Sequence, residues 1–205
     1  MEEFWDELLT AESWRKLREL SKKYAFIVIG GWAVFLWAKA QKSKDLDIMV
    51  DFKTLEALRQ DYEMTKNERL KKYEIKFEKF DIDVYVKYWS KLAIPPNELE
   101  TTKIDGIATV SAENLLVLKQ SAEIDRRGTS KGKKDAIDIL QLLLSKSVDL
   151  AKYRRTLETY DLDYEKELEV VIKNFDDRDL KYLNMNFKEF KDWRKEFLSS
   201  LKHKR

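Results

Sequence analysis

The chain has 205 residues, 43% of them hydrophobic and 38% charged, with 40 Lys and Arg against 38 Asp and Glu, a net charge of +2 and no cysteine. That length suits one domain or two small ones around a packed core and excludes a disordered chain. Lack of cysteine excludes disulfides and thiolate metal sites and fits a reducing, cytoplasmic setting, and near-neutral charge announces no nucleic-acid partner unless cations cluster locally.

The opening MEEFWDELL starts acidic and does not read as a signal peptide. Phe4, Trp5, Leu8, Leu9, Trp14, Leu17 and Leu20 stand at helical spacing and predict an amphipathic helix over 3–23. Tyr24 to Ile29 is aromatic and β-branched and reads as a buried strand ending at Gly30-Gly31. A helix from Trp32 to Gln41 follows, apolar almost all round and therefore enclosed. The apolar stretch 25–38 is too short to cross a bilayer, so a soluble protein with no membrane partner is expected. Asp45 to Val50 predicts the next strand and Lys53 to Gln60 a helix. Between Lys71 and Lys87, Tyr73, Ile75 and Phe77 alternate, as do Phe80, Ile82, Val84 and Val86; this predicts two strands, or one long strand with a bulge. Pro95-Pro96 marks a loop, and Lys103 to Val110 reads as one short strand.

Ser111, with Asn114 three positions on, reads as an N-cap. From there helices are predicted over 112–126, 132–146, about 148–159, 163–174 and 187–202. The five Gly and two Pro, well under the ordinary ~12% of residues, agree with short loops and many helices. The fold class is α+β, with a small mixed sheet flanked by helices in residues 1–110 and an all-α bundle in 111–205.

The informative segment is FIVIGGWAVFLWAKAQKSKDLDIMV, residues 26–50. Glycines at a strand-to-helix turn let backbone N–H groups face an anion with no Cβ in the way, and a helix N-terminus favours negative charge. Phosphate is the obvious ligand. Asp45 and Asp47 alternate with Leu46 and Ile48, so both carboxylates share one strand face, ~7 Å apart at the backbone. Such a pair repels unless a cation sits between, and Mg²⁺ (or Mn²⁺), with its preference for hard oxygen ligands, is the natural candidate. A third carboxylate comes from Phe80-Asp81-Ile82-Asp83-Val84. Asp83, flanked by core residues mid-strand, is favoured, and Asp81 is the alternate. Three carboxylates can hold two metals ~3.5–4 Å apart and serve phosphoryl transfer, with one acting as general base.

This order of features resembles the nucleotidyltransferase superfamily related to DNA polymerase β, whose signature is a Gly-Gly or Gly-Ser turn, a helix, an Asp-x-Asp strand and a third Asp on a later strand. Gly30, Gly31, Asp45, Asp47 and Asp83 match it, and Ser43 matches the Ser or Thr often found two residues before the first Asp. Bulky Trp32 departs from the small residue expected after the glycines and could narrow the phosphate turn.

In the second half, Lys119, Arg126, Arg127, Lys131, Lys133 and Lys134 face only Glu123 and Asp125. This local surplus suits a triphosphate or RNA backbone; a solvated interhelix loop is the plainer reading. The order of a helix with a lysine, then arginine, then Lys134-Asp135-Ala136-Ile137-Asp138 is similar to the AbiEii-type toxin-like nucleotidyltransferases. That resemblance implies that Lys119 contacts nucleotide phosphates while Lys134 and Asp135 help form the nucleotide pocket; Asp138, one helical turn on, could salt-bridge Lys134 instead.

The resemblance implies a Mg²⁺-dependent enzyme that moves NMP from an NTP such as ATP to a hydroxyl of RNA, tRNA or protein, with an antitoxin partner if it is a toxin. A small-molecule acceptor, as in antibiotic-modifying relatives, and a non-catalytic nucleotide- or partner-binding protein on the same fold are the alternatives. His203 reads as part of a solvated basic tail. The clusters at Phe175-Asp176-Asp177 and Tyr160 to Asp163 read as helix-capping turns, and Phe187, Phe190, Trp193 and Phe197 as core or interface.

Overall fold

A computed structural model describes residues 7–202; Phe4, Trp5 and His203 lie outside them. Helix α1 (Glu7–Lys23) leads into β1 (Ile27–Ile29), α2 (Gly30–Ala38), β2 (Leu46–Val50) and α3 (Phe52–Asp61). Strands β3 (Thr65–Asn67), β4 (Lys72–Lys76), β5 (Asp81–Val86), β6 (Thr101–Ile104) and β7 (Ile107–Val110) complete one mixed sheet in the order β3-β4-β5-β2-β1-β7-β6. Helices α4 (Ala112–Arg126), α5 (Ser130–Leu144), α6 (Leu150–Thr159), α7 (Tyr164–Lys173) and α8 (Phe187–Lys202) follow, with a 3₁₀ segment, Asp177–Leu183, before the last. The α+β class is as expected.

Residues 71–87 form the two strands expected, paired as an antiparallel hairpin with Glu74 opposite Asp83, so the alternative of one bulged strand falls away. One strand reading is corrected. Lys103 to Val110 is likewise a hairpin, because Asp105 and Gly106 both adopt positive φ and supply the two-residue turn that matches strand twist. Strand β3 escapes sequence reading altogether: Thr-Lys-Asn has no apolar residue, and its pairing with β4 alone defines it.

Helix α2 is enclosed as its composition demands. Gly31, Trp32, Ala33, Val34 and Leu36 are all buried, against the sheet on one side and α4 and α5 on the other. The helix ends where Lys39 turns left-handed and its N–H bonds the Phe35 carbonyl. Helix α4 starts as predicted, with Ser111 accepting from the Asn114 N–H at 3.3 Å. Asn114 turns its own side-chain oxygen to the Glu100 N–H at 2.7 Å, tying the helix start to the loop before β6. Helix α5 begins two residues before its expected start because Thr129 caps it through the Gly132 N–H. Asp176 caps the 3₁₀ segment through the Arg178 N–H, whereas Asp163 makes no side-chain cap to α7. Phe190 is wholly buried, Phe187 is exposed, and Trp193 and Phe197 are half-buried along α8. One apolar core takes residues from both sides of position 110, from Val28, Ile48 and Val84 on the sheet to Leu116, Ile139 and Leu168 on the helices. No helix among the described residues is long and apolar enough to cross a membrane.

Candidate active site

Asp47 sits on the central strand β2, with Ile29 of β1 opposite on one side and Asp83 of parallel β5 on the other. Adjacent strands lie ~4.8 Å apart, so Asp47 and Asp83 are immediate lateral neighbours. Leu46 and Ile48, pointing the other way, are buried in the core. The expected alternation is therefore present, and it delivers two acids from different strands to one face.

Gly30, at the start of α2, has φ +65°, and a Cβ there would overlap the Asp47 carboxylate. Glycine is thus required both for the left-handed backbone and for the space that Asp47 fills. A Cβ on Gly31 would stand 2.6 Å from Ser43 Oγ, with Lys134 Nζ 3.6 Å away. Among the described residues no side chain caps the N-terminus of α2, which leaves its first N–H groups to an anion.

Ser43 is buried; its Oγ accepts from Lys134 Nζ at 3.2 Å, and its carbonyl accepts from Ser13 Oγ at 3.0 Å. Trp32 does not narrow the turn. Its ring packs on Trp14 and Phe35 at centroid distances of 4.9 and 5.4 Å, and its Nε1 donates to Ser13 Oγ at 3.3 Å. The bulky residue after the glycines is core that helps hold the serine pair in place.

Asp45, one residue before β2, accepts at Oδ1 from the Asp81 backbone N–H at 3.1 Å. The Asp81 side chain is exposed, while that of Asp83 is partly buried beside Asp47. Asp83 Oδ2 meets Lys72 Nζ of β4 at 2.5 Å, and the same ammonium lies 3.2 Å from Glu74 Oε1. Burial, then the Asp83 charge, push the Asp47 pKa up to about 7 against the pull of Lys119, Lys134 and Lys72. Burial also raises Asp83, with Lys72 opposing and Glu74 and Asp45 adding to the rise. Tyr85 follows on the same face; burial and these two aspartates hold its phenol well above its ordinary range.

The helical half supplies the cations. Lys119 of α4 is buried between Asp138 (2.6 Å) and Asp135 (3.3 Å) of α5, and Arg126 closes on the other Asp135 oxygen at 2.6 Å. Burial works against the Lys119 charge, but Asp138 and Asp135 outweigh it and its pKa is raised. Asp138 therefore pairs with Lys119. Lys134 differs: burial and then Lys119 outweigh the attraction of Asp138, Asp47 and Asp45, and its pKa is lowered. The basic cluster is not a loose solvated loop. Arg127 binds Glu123 and Glu167, and Lys133 binds Asp179, each at 2.7 Å.

The donor set suits a divalent cation. Asp45, Asp47 and Asp83 offer hard oxygens, and the half-buried Asp47–Asp83 pair carries mutual repulsion that a cation would relieve. Among the described residues, however, no three such groups converge as ready-made ligands, since Asp45 leans to a backbone N–H and Asp83 to Lys72. Of the three, Asp45 and Asp47 form no ion pair among the described residues, so they are the donors left for a cation. A cleft of about 350 Å³ opens beside Asp45, its lining mixed in charge: Lys44, Lys79 and Lys131 with Glu78 and Asp81, around Phe77 and Phe80. A larger hollow of about 580 Å³ runs along α8 and touches none of these groups.

Sequence reading missed Lys72, Glu74 and Tyr85. The first two carried a signal: Lys72 and Glu74 alternate with buried Tyr73 and Ile75, so in a hairpin they must join the face of Asp83.

A family model described as "Nucleotidyltransferase of unknown function (DUF6036)" matches residues 8–195. No curated protein matches the sequence. Among solved structures, the chain is similar to JHP933 from Helicobacter pylori, at 16% identity over 83% of this chain and 81% of that one, TM-score 0.49. It is also similar to an antigenic nucleotidyltransferase-like protein from Paracoccidioides brasiliensis, at 17% identity over 74% of this chain and 91% of that one, TM-score 0.39.

Proposed function

The chain belongs to this nucleotidyltransferase family, and on that premise we propose that it transfers NMP from an NTP such as ATP to a hydroxyl acceptor, RNA or tRNA being favoured over protein, and releases pyrophosphate. The observation that carries the proposal is the juxtaposition across one turn. Asp47 and Asp83 stand on the sheet face, while the open start of α2, Ser43 and Lys134 stand beside it.

The triphosphate lies against the Gly30-Gly31 turn, where helix N–H groups and Lys134 meet it. Lys134 has its charge disfavoured by burial, so an arriving phosphate stabilises the ammonium while the ammonium stabilises the phosphate. Lys119 stands behind, held by Asp135 and Asp138, and contributes positive potential to developing charge. Asp45 and Asp47 would hold a Mg²⁺ or Mn²⁺, which supplies Lewis-acid polarisation of the α-phosphate. Asp83 keeps Oδ1 free while Oδ2 is engaged by Lys72, so Oδ1 takes the proton of the acceptor hydroxyl. The acceptor oxygen bonds to the α-phosphorus, and the bond from that phosphorus to the β-phosphate bridging oxygen breaks, leaving pyrophosphate. The cleft beside Asp45, with Lys44, Lys131 and the stacked Phe77–Phe80 pair, gives the acceptor its approach.

The finer reading, an AbiEii-type toxin opposed by an antitoxin, is supported by the order Lys119, Arg126, Lys134-Asp135 and by the contact of Lys134 with Ser43. The test is incubation with each α-labelled NTP, Mg²⁺ or Mn²⁺, and separate cellular RNA, protein and small-molecule fractions. Label is expected in RNA. Label confined to small molecules moves the acceptor to the antibiotic-modifying class, and nucleotide binding without transfer to any fraction leaves a binding protein and overturns the proposal.

A further inference from the structure

A face with Asp45, Asp47, Glu74 and Asp83 gathers four carboxylates within three adjacent strands, and such a group usually calls for more than one counter-ion. One cation is already built in. Lys72 enters from β4 with the whole residue only 8% exposed, and its ammonium bridges Asp83 Oδ2 at 2.5 Å and Glu74 Oε1 at 3.2 Å. Register explains why it reaches them: Glu74 lies opposite Asp83 in the hairpin, and Lys72 shares the Glu74 side of β4.

We infer that the Lys72 ammonium takes the place of one of the two divalent ions that a three-carboxylate site can hold, so that each active site binds a single metal ion. This rests on the nucleotidyltransferase reading above. An Mg²⁺ must come within ~2.1 Å of a carboxylate oxygen. A second ion on the Asp83 side would have to share that carboxylate with an ammonium already in contact with it, cation against cation. Among the described residues no lysine pairs with Asp45 or Asp47 in this way; Lys119 is engaged by Asp135 and Asp138, and Lys134 donates to Ser43. The two ends of the acidic face are therefore unequal: the Asp45–Asp47 end forms no ion pair among the described residues, while at the other end the Lys72 ammonium already occupies the space between Asp83 and Glu74 and offsets one of their two charges. Lys72 is a positioning residue in this scheme. It fixes which Asp83 oxygen remains free and does not touch the reacting atoms.

The test is electron paramagnetic resonance of the full chain titrated with Mn²⁺, alone and with a non-hydrolysable ATP analogue. Wild type is expected to bind one Mn²⁺ per chain in both conditions, with no spin-coupled pair of the kind two ions ~3.5–4 Å apart produce. Lys72→Met, which keeps length and loses charge, is expected to bind two and show the coupled signal; Lys72→Arg is expected to keep one. A coupled pair in wild type overturns the inference while leaving nucleotidyl transfer standing. A single ion in a folded Lys72→Met does the same, and no Mn²⁺ in wild type overturns the inference and the metal reading together. Should Lys72→Met fail to fold, the wild-type stoichiometry still decides.

Discussion

The acidic face of the sheet and the α4–α5 helix pair are both buried and densely charged, yet they are resolved in opposite ways. On the helices nearly every ion has a partner: Lys119 with Asp135 and Asp138, Arg126 with Asp135, Lys133 with Asp179. On the sheet, among the described residues, Lys72 is the one cation in direct contact with Asp83 and Glu74, Asn67 adds a hydrogen bond to Glu74, and burial pushes the Asp47 pKa up to about 7. The lesson is that buried charge has two uses here. The helix network is closed and acts as a scaffold; the sheet face is open and gains from a cation. Lys134 joins them, since it belongs to α5 but aims its charge, which burial disfavours, at Ser43 and the glycine turn.

The contrast can be broken most severely on the closed side. Asp138→Ala strips a buried lysine of its nearest partner, and breaking such a pair costs about 3–5 kcal/mol. Chemical denaturation is expected to show that loss, and a loss under about 1 kcal/mol would mean the network is no scaffold. The open side is expected to respond to pH instead. Below the ordinary carboxylate pKa of ~4 Asp47 is protonated folded or unfolded and has no effect. As pH rises from there toward about 7 the unfolded chain loses the proton that the folded one keeps, so stability falls across that window. Metal-free protein should melt at lower temperature as pH climbs through it, Mg²⁺ should restore the melting temperature, and Asp47→Asn should remove much of the slope; a flat profile in wild type contradicts this.

A smaller effect is expected at the junction. Lys134→Met removes a charge-assisted hydrogen bond worth about 1.5–3 kcal/mol, so NTP binding measured by calorimetry should weaken ~10- to 100-fold with the fold kept. Unchanged affinity would place the phosphates elsewhere. Least of all, Lys79→Ala breaks an exposed pair with Glu12 and should shift stability by less than about 1 kcal/mol.

What could be read from the sequence follows from where the information resides. Helices α4 to α8 emerge within two residues of their bounds because caps and apolar spacing are local. Gly30, Gly31, Ser43, Asp45 and Asp47 were legible as a group because one short segment carries them all, and the structure brings Lys134 and Asp83 to them. Lys72 was legible only in part: its alternation with Tyr73 and Ile75 gives its side of β4, but its contact with Asp83 depends on hairpin register, and a single bulged strand would have sent it elsewhere. The family resemblance assigns Asp135 to the nucleotide pocket; the structure places both its oxygens on Lys119 and Arg126, a long-range pairing that no spacing rule reveals. The Asp105-Gly106 turn was written in the sequence, yet the run Lys103 to Val110 is short enough to pass for one strand.

The central claim is that the Asp47 carboxylate, with a divalent ion, drives nucleotidyl transfer. Pyrophosphate release is its most direct measure, followed with NTP and cellular RNA for wild type and Asp47→Asn, with Mg²⁺ and with chelator, beside a melting curve for each protein. The account predicts release in wild type that chelator abolishes, none in Asp47→Asn, and a variant at least as stable as wild type in the metal-free state. Undiminished release by a folded Asp47→Asn, or wild-type release that chelator leaves unchanged, would contradict it.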